Sequence, residues 1–165
     1  MDLLLPPKLI PSLKDKHLLL DTNVFRDSSS FPTVFATFFN NLKKNDVTIT
    51  TLDVVRYELL KGSANQQKYE EKENQINDVV DLVLPTRPGH EVLIYDLIKQ
   101  YSLDGTALHV TDLFLGAALM QYKKNIFLMT RDTTDFMQNI FSLKFIINAP
   151  HKKGIFTYGI YQYLK

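Results

Sequence analysis

The stretch "HLLLDTNVF", residues 17–25, decides how the chain is read. Three leucines follow His17 between polar neighbours, which fits a short strand buried in a sheet. The run stops on Asp21, with Thr22 and Asn23 behind it. Taken alone, Asp-Thr-Asn reads as an Asx turn capping the next helix. It reads as part of a metal site only if the rest of the chain supplies partner carboxylates.

The residues around this stretch set the fold class. Residues 28–46 open with serines that can cap a helix, and Phe31, Val34, Phe35, Phe38, Phe39 and Leu42 follow at helical spacing. "VTIT" (47–50) is β-branched and reads as a second strand. A helix over 51–63 has Thr51 or Asp53 as its cap and Gly62 as its stop. Residues 64–78 are polar with both signs of charge, as in a solvated helix or excursion. "VVDLVLP" (79–85) returns to the core as a helix end or third strand, and Arg87-Pro88-Gly89 is a turn. Helices are expected over 90–103 and 105–125, the second buried because it is apolar on nearly all sides from Leu113 to Met120. "IFLMT" (126–130) is a strand, 131–141 a loop and short helix, and "LKFIIN" (143–148) a last strand. Strands alternating with helices predict an α/β fold with a mainly parallel sheet. The chain reads as one domain over 1–165. It has an irregular lead-in at 1–16, a core of about 15–148 and an aromatic tail without clear period at 149–165.

Composition narrows the function classes. The 165 residues are 45% hydrophobic and 22% charged, with net charge +1, so no broad basic field marks the chain. The lack of cysteine excludes disulfides, thiolate catalysis and Cys-ligated zinc, and the four histidines show no metal-binding spacing. No GxGxxG follows the first strand and no Walker A motif occurs, which argues against dinucleotide and P-loop chemistry. No apolar run approaches the ~20 residues of a membrane helix. The opening residues lack the basic region and apolar run of a signal peptide, so a cytoplasmic location without membrane partners is expected.

Four acids, with Asp135 as a fifth, fall where an α/β sheet could gather them. Asp21 and Asp132 each follow an apolar strand, and Asp135 comes three residues after Asp132. Glu58 sits in the helix after the second strand, and Asp112 directly precedes the buried helical run. Singly, each has a plainer reading as a cap, loop or solvated helix residue. Together, carboxylates from separate elements make a hard oxygen donor set suited to Mg²⁺ or Mn²⁺. A haloacid-dehalogenase-like phosphatase would want a second Asp two residues after the first, and that position is Asn23.

In order, "LLLDTNVF", "VVRYELLKG", "TDLFLGAALM" and "FLMTRDTTDF" resemble the PIN-domain nucleases, and within them the VapC-like ribonuclease toxin type. The resemblance covers roughly residues 15–148. It implies a three-layer α/β/α sandwich and a Mg²⁺- or Mn²⁺-dependent endoribonuclease that hydrolyses RNA without a covalent intermediate. Asp21, Glu58 and Asp112 match the family's three metal-site acids, and Asp132 matches the more variable fourth position. Asp135 is an alternate acid, while Thr22, Asn23 and Thr130 match polar positions that orient the carboxylates. The resemblance also brings an antitoxin partner and a homodimer into view, the latter through an apolar face around Phe31–Phe39 unless that face is core. The alternative is a catalytically silent PIN-fold module that binds RNA or acts as a scaffold. The lead-in, the polar stretch at 63–78 and the tail depart from the compact toxins. No dense basic patch is visible. Lys43-Lys44, Arg87, Lys123-Lys124 and Lys152-Lys153 are candidates for RNA phosphates, with Arg56 and Arg131 favoured for lying within two residues of a proposed ligand. His109 reads as structural.

Overall fold

The computed structural model describes residues 2–101, 108–152 and 154–165. The helical residues expected over 102–103 and 105–107, and Lys153, lie outside the described residues. Among the described residues six strands form one sheet: β1 (His17–Leu20), β2 (Thr48–Thr51), β3 (Leu82–Val83), β4 (Ile126–Thr130), β5 (Phe141–His151) and β6 (Gly154–Tyr163). Their order is β3-β2-β1-β4-β6-β5. The pairs from β3 to β4 are parallel, and β6 pairs antiparallel with both β4 and β5. The fold is therefore α/β with a mainly parallel, mixed sheet.

Seven α-helices lie among the described residues: α1 (Leu9–Leu13), α2 (Thr22–Ser30), α3 (Pro32–Lys44), α4 (Asp53–Leu60), α5 (Gln66–Val79), α6 (His90–Gln100) and α7 (Val110–Tyr122). The chain steps outward from β1 to β2 to β3, then returns past β1 to place β4 on its other side. Right-handed crossovers put the helices of the outward and return journeys on opposite faces of such a sheet. This topology is compatible with a three-layer sandwich. It also makes the seam between β1 and β4 the switch point, where the carboxyl ends of parallel strands leave a crevice.

The central strands read as apolar runs because both of their faces are covered. Leu18, Leu19, Leu20, Ile126, Leu128 and Met129 are fully buried. Helix α7 is buried from Leu115 to Met120. Gly116 belongs to that contact, since a Cβ there would stand 2.9 Å from the Leu97 side chain on α6 and 3.1 Å from the Phe141 ring.

Several elements differ from the sequence reading. The lead-in is not irregular: α1 buries Leu9 and Leu13, and Leu4 bridges to Asn148. Pro11 falls in the first turn, where its missing N–H costs no helical bond. The serines do not open a helix. They lie in α2 and at its end, with Ser28 and Ser29 bonding back to the Phe25 carbonyl and Ser30 to that of Arg26. Pro32 at the first turn of α3 starts the next helix instead. Neither Thr51 nor Asp53 caps α4, whose N-cap position is Leu52. Residues 131–140 make turns and no helix. The aromatic tail is strand β6, inserted between β4 and β5, with Tyr158, Ile160 and Tyr161 buried. Phe35, Phe38 and Phe39 are buried inside the chain, so that face is core. No described helix is long and apolar enough to cross a membrane.

Candidate metal centre

Three of the four acids converge at the switch point. Asp21 follows β1, Asp132 follows β4 by two residues, and Asp112 lies in the first turn of α7. Each offers one carboxylate oxygen within 4.8 Å of the others. They share a cavity of about 260 Å³ with Thr22, Asn23, Arg26, Glu58, His109 and Thr111.

Asp21 is nearly inaccessible, at 3% exposure, yet well supplied with donors. Its Oδ1 accepts the Thr22 backbone N–H at 2.6 Å, which makes Asp21 itself the N-cap of α2. Its Oδ2 accepts the Thr130 hydroxyl at 2.6 Å and the Asn23 side-chain amide at 2.7 Å. Asn23 also donates to Asp132 Oδ2 at 3.0 Å and accepts the Arg131 backbone N–H at 3.0 Å. It therefore ties the start of α2 to the loop after β4. Thr22, Asn23 and Thr130 thus each donate a hydrogen bond to the Asp21 carboxylate.

Glu58 lines the same cavity but lies outside the close triad. Its Oε2 accepts the hydroxyls of Thr22 at 3.0 Å and Thr111 at 2.8 Å, and its Oε1 faces Arg26 at 3.2 Å. Asp135 does not line the cavity. Its backbone carbonyl accepts the Tyr101 hydroxyl at 2.5 Å, and its carboxylate accepts the Thr134 hydroxyl at 3.2 Å.

The electrostatics are those of acids crowded together. Burial pushes the Asp21 carboxyl up to about 6, with Asp132 and Glu58 adding repulsion against the opposing bonds from Thr130 and Thr22. Burial pushes Asp112 up to about 7, with repulsion from Asp21, Asp135 and Asp132 outweighing attraction to His109. Among the described residues no hydrogen-bond donor reaches the Asp112 carboxylate. A buried acid without donors, beside two other carboxylates, fits a bound cation. The all-oxygen donor set fits Mg²⁺ or Mn²⁺.

Neither of the two arginines favoured as RNA contacts lines the acidic cavity. Arg56 bonds to Asp53 at 3.3 Å on its own helix and does not line the cavity. Arg131 is held by the nearly buried carboxylate of Asp27, at 2.9 and 3.0 Å, and stacks over the Phe156 ring at 4.6 Å. Tyr158 donates to the same Asp27 at 2.8 Å, and burial followed by the Asp27 charge raises its pKa. The cationic side chain in the cavity wall is instead Arg26, five residues after Asp21 on α2. Recognising α2 as a helix beginning at Thr22 would have found it, because a residue one turn on from Thr22 returns to the same side. His109, read as structural, is exposed at the cavity rim. Comparison with family models, with curated proteins and with solved structures finds no match.

Proposed function

We propose that the chain is a Mg²⁺- or Mn²⁺-dependent endoribonuclease on a PIN-like fold. The observation that carries the reading is the meeting of Asp21, Asp112 and Asp132 within 4.8 Å at the switch point. These residues come from sequence blocks far apart, and their order matches the PIN pattern. A divalent ion held there would supply Lewis acidity to polarise a phosphodiester and stabilise its leaving oxygen. The protein's own part is orientation. Thr130, Thr22 and Asn23 fix both oxygens of Asp21, and Asn23 sets Asp132 against it. Thr22 and Thr111 hold Glu58 at the cavity wall, where it positions Arg26 to meet a phosphate oxygen. The toxin role with an antitoxin partner rests on the resemblance alone.

The test is cleavage of labelled single-stranded RNA by the purified chain with Mn²⁺ or Mg²⁺. Asp21→Asn and Asp112→Asn should remove cleavage while leaving a cooperative melt. Absence of cleavage by the wild-type chain with both ions, or equal cleavage by the variants, would overturn the reading.

A further inference from the structure

We infer that a basic groove at the opposite end of the sheet is a docking site for single-stranded RNA, bound through its phosphates. The choice of RNA over other polyanions rests on the proposed function; the groove itself does not. It has a volume of about 580 Å³ and is lined by Lys123, Lys124, Lys144 and Lys165, with the rings of Tyr122 and Tyr163. Among the described residues no acidic side chain lines it. All four lysines are exposed, and none makes an ion pair among the described residues. Arg87 adds a fifth cation, stacked over the Tyr122 ring at 4.6 Å. Lys123 and Lys124 follow the C-terminus of α7, where the helix dipole favours cations. That accounts for two of the five; Lys144 comes from β5 and Arg87 from the turn before α6.

The two sites are the two ends of the same elements. Helix α7 runs from Asp112 in the acidic centre to Tyr122 in the groove, ten residues that span about 15 Å at 1.5 Å each. Strand β4 runs back from the groove at Asn125 to Thr130 beside Asp21, a further five residues or about 17 Å. A cluster of acids repels a phosphate chain until a cation is bound. Affinity for that chain therefore has to come from elsewhere, and the unpaired lysines with flanking rings combine the charge and the stacking surface that single strands use.

The experiment measures binding of a fluorescein-labelled oligouridylate to the full chain by anisotropy, with EDTA present so that binding is separated from cleavage. Wild-type protein should bind, and log Kd should rise linearly with log salt. In the double variant Lys124→Gln/Lys144→Gln, two phosphate contacts are lost and the slope should fall by about 1.4. From 50 to 200 mM salt the wild-type chain should then lose about sevenfold more affinity than the variant. Both side chains are exposed, so a circular-dichroism melt matching wild type is expected. Undetectable oligouridylate binding, or an unchanged slope in the variant, would overturn the inference. So would binding to phosphatidylserine vesicles without binding to RNA. Mn²⁺ calorimetry on the same preparation reports the acidic centre separately, so a failed groove and a failed metal centre give different results.

Discussion

Lowering the pH from 7.5 to 5.0 should weaken Mn²⁺ binding far more than it weakens binding to ordinary surface carboxylates. The cation has to displace whatever protons the site holds. With the Asp21 carboxyl at about 6 and Asp112 at about 7, both are largely protonated at pH 5 and largely ionised at pH 7.5. Taken as separate steps, competition from Asp21 changes the apparent Kd by about tenfold and competition from Asp112 by about 80-fold. Their product is about 800-fold. Carboxylates titrating near 4 would change it by only about 10% each over this interval. Isothermal calorimetry gives the affinity at both pH values, and repeating it in buffers of different ionisation enthalpy counts the protons released. About 1.9 protons should leave per ion at pH 5 and about 0.3 at pH 7.5. An affinity that is flat with pH, or release of no protons at pH 5, would refute the claim that crowding and burial hold these two acids protonated.

The same shift has a consequence for the metal-free fold. The folded chain keeps the Asp112 proton to about 7 whereas the unfolded chain loses it near 3.8, so stability falls as pH rises through that window. Asp112→Asn should therefore stabilise the metal-free protein at pH 8 by about 1–2 kcal/mol, allowing for solvent screening, and raise Tm by about 2–6 °C. The gain should disappear near pH 4 in a scanning-calorimetry series. Arg131→Ala leaves the nearly buried Asp27 carboxylate with only the Tyr158 hydroxyl and should cost about 2–3 kcal/mol in urea unfolding, whereas Tyr158→Phe should cost about 1 kcal/mol. Gly159→Ala places a methyl against the buried Tyr161 ring, which is fixed by its bond to the Thr133 carbonyl, and should cost about 1–3 kcal/mol by thermal melt.

How much of this was legible in the sequence varies by residue, for physical reasons. Apolar strands ending on Asp21 and near Asp132 were visible because a buried parallel strand leaves a continuous run and a sharp end. Asp112 was visible because α7 is apolar all round. The surroundings of Arg131 were not legible because neighbouring residues past the end of a strand need not face the same way. Asp132 turns to the cavity while its neighbour turns to Asp27 and Phe156. Arg56 lies off the cavity because residues two apart on a helix do not share a face, so nearness to Glu58 in sequence does not put it beside Glu58 in space. Helix α2 was hidden by Asp21, which serves as both cap and candidate ligand, and by serines that satisfy themselves within the helix. Strand β6 showed no alternation because its middle is covered on both faces, which erases the period-two signal. The basic groove was hidden because its lysines come from residues 123 to 165 and meet only when β5 and β6 are in place.

The insertion of β6 between β4 and β5 also bears on the order in which the molecule can be completed. The bond from Thr130 to Asp21 already closes a separation of 109 residues. Strand β4 gains its second neighbour from β6, whose residues leave the ribosome after those of the other described strands. Before then a nascent chain exposes an open edge of β4 and a β5 whose other bridge is the single one to Leu4. Such long-range closure is slow and prone to association through unpaired edges. It also means that translation yields no finished acidic centre until the chain has passed Asp132, and no finished sheet until it has passed Tyr163.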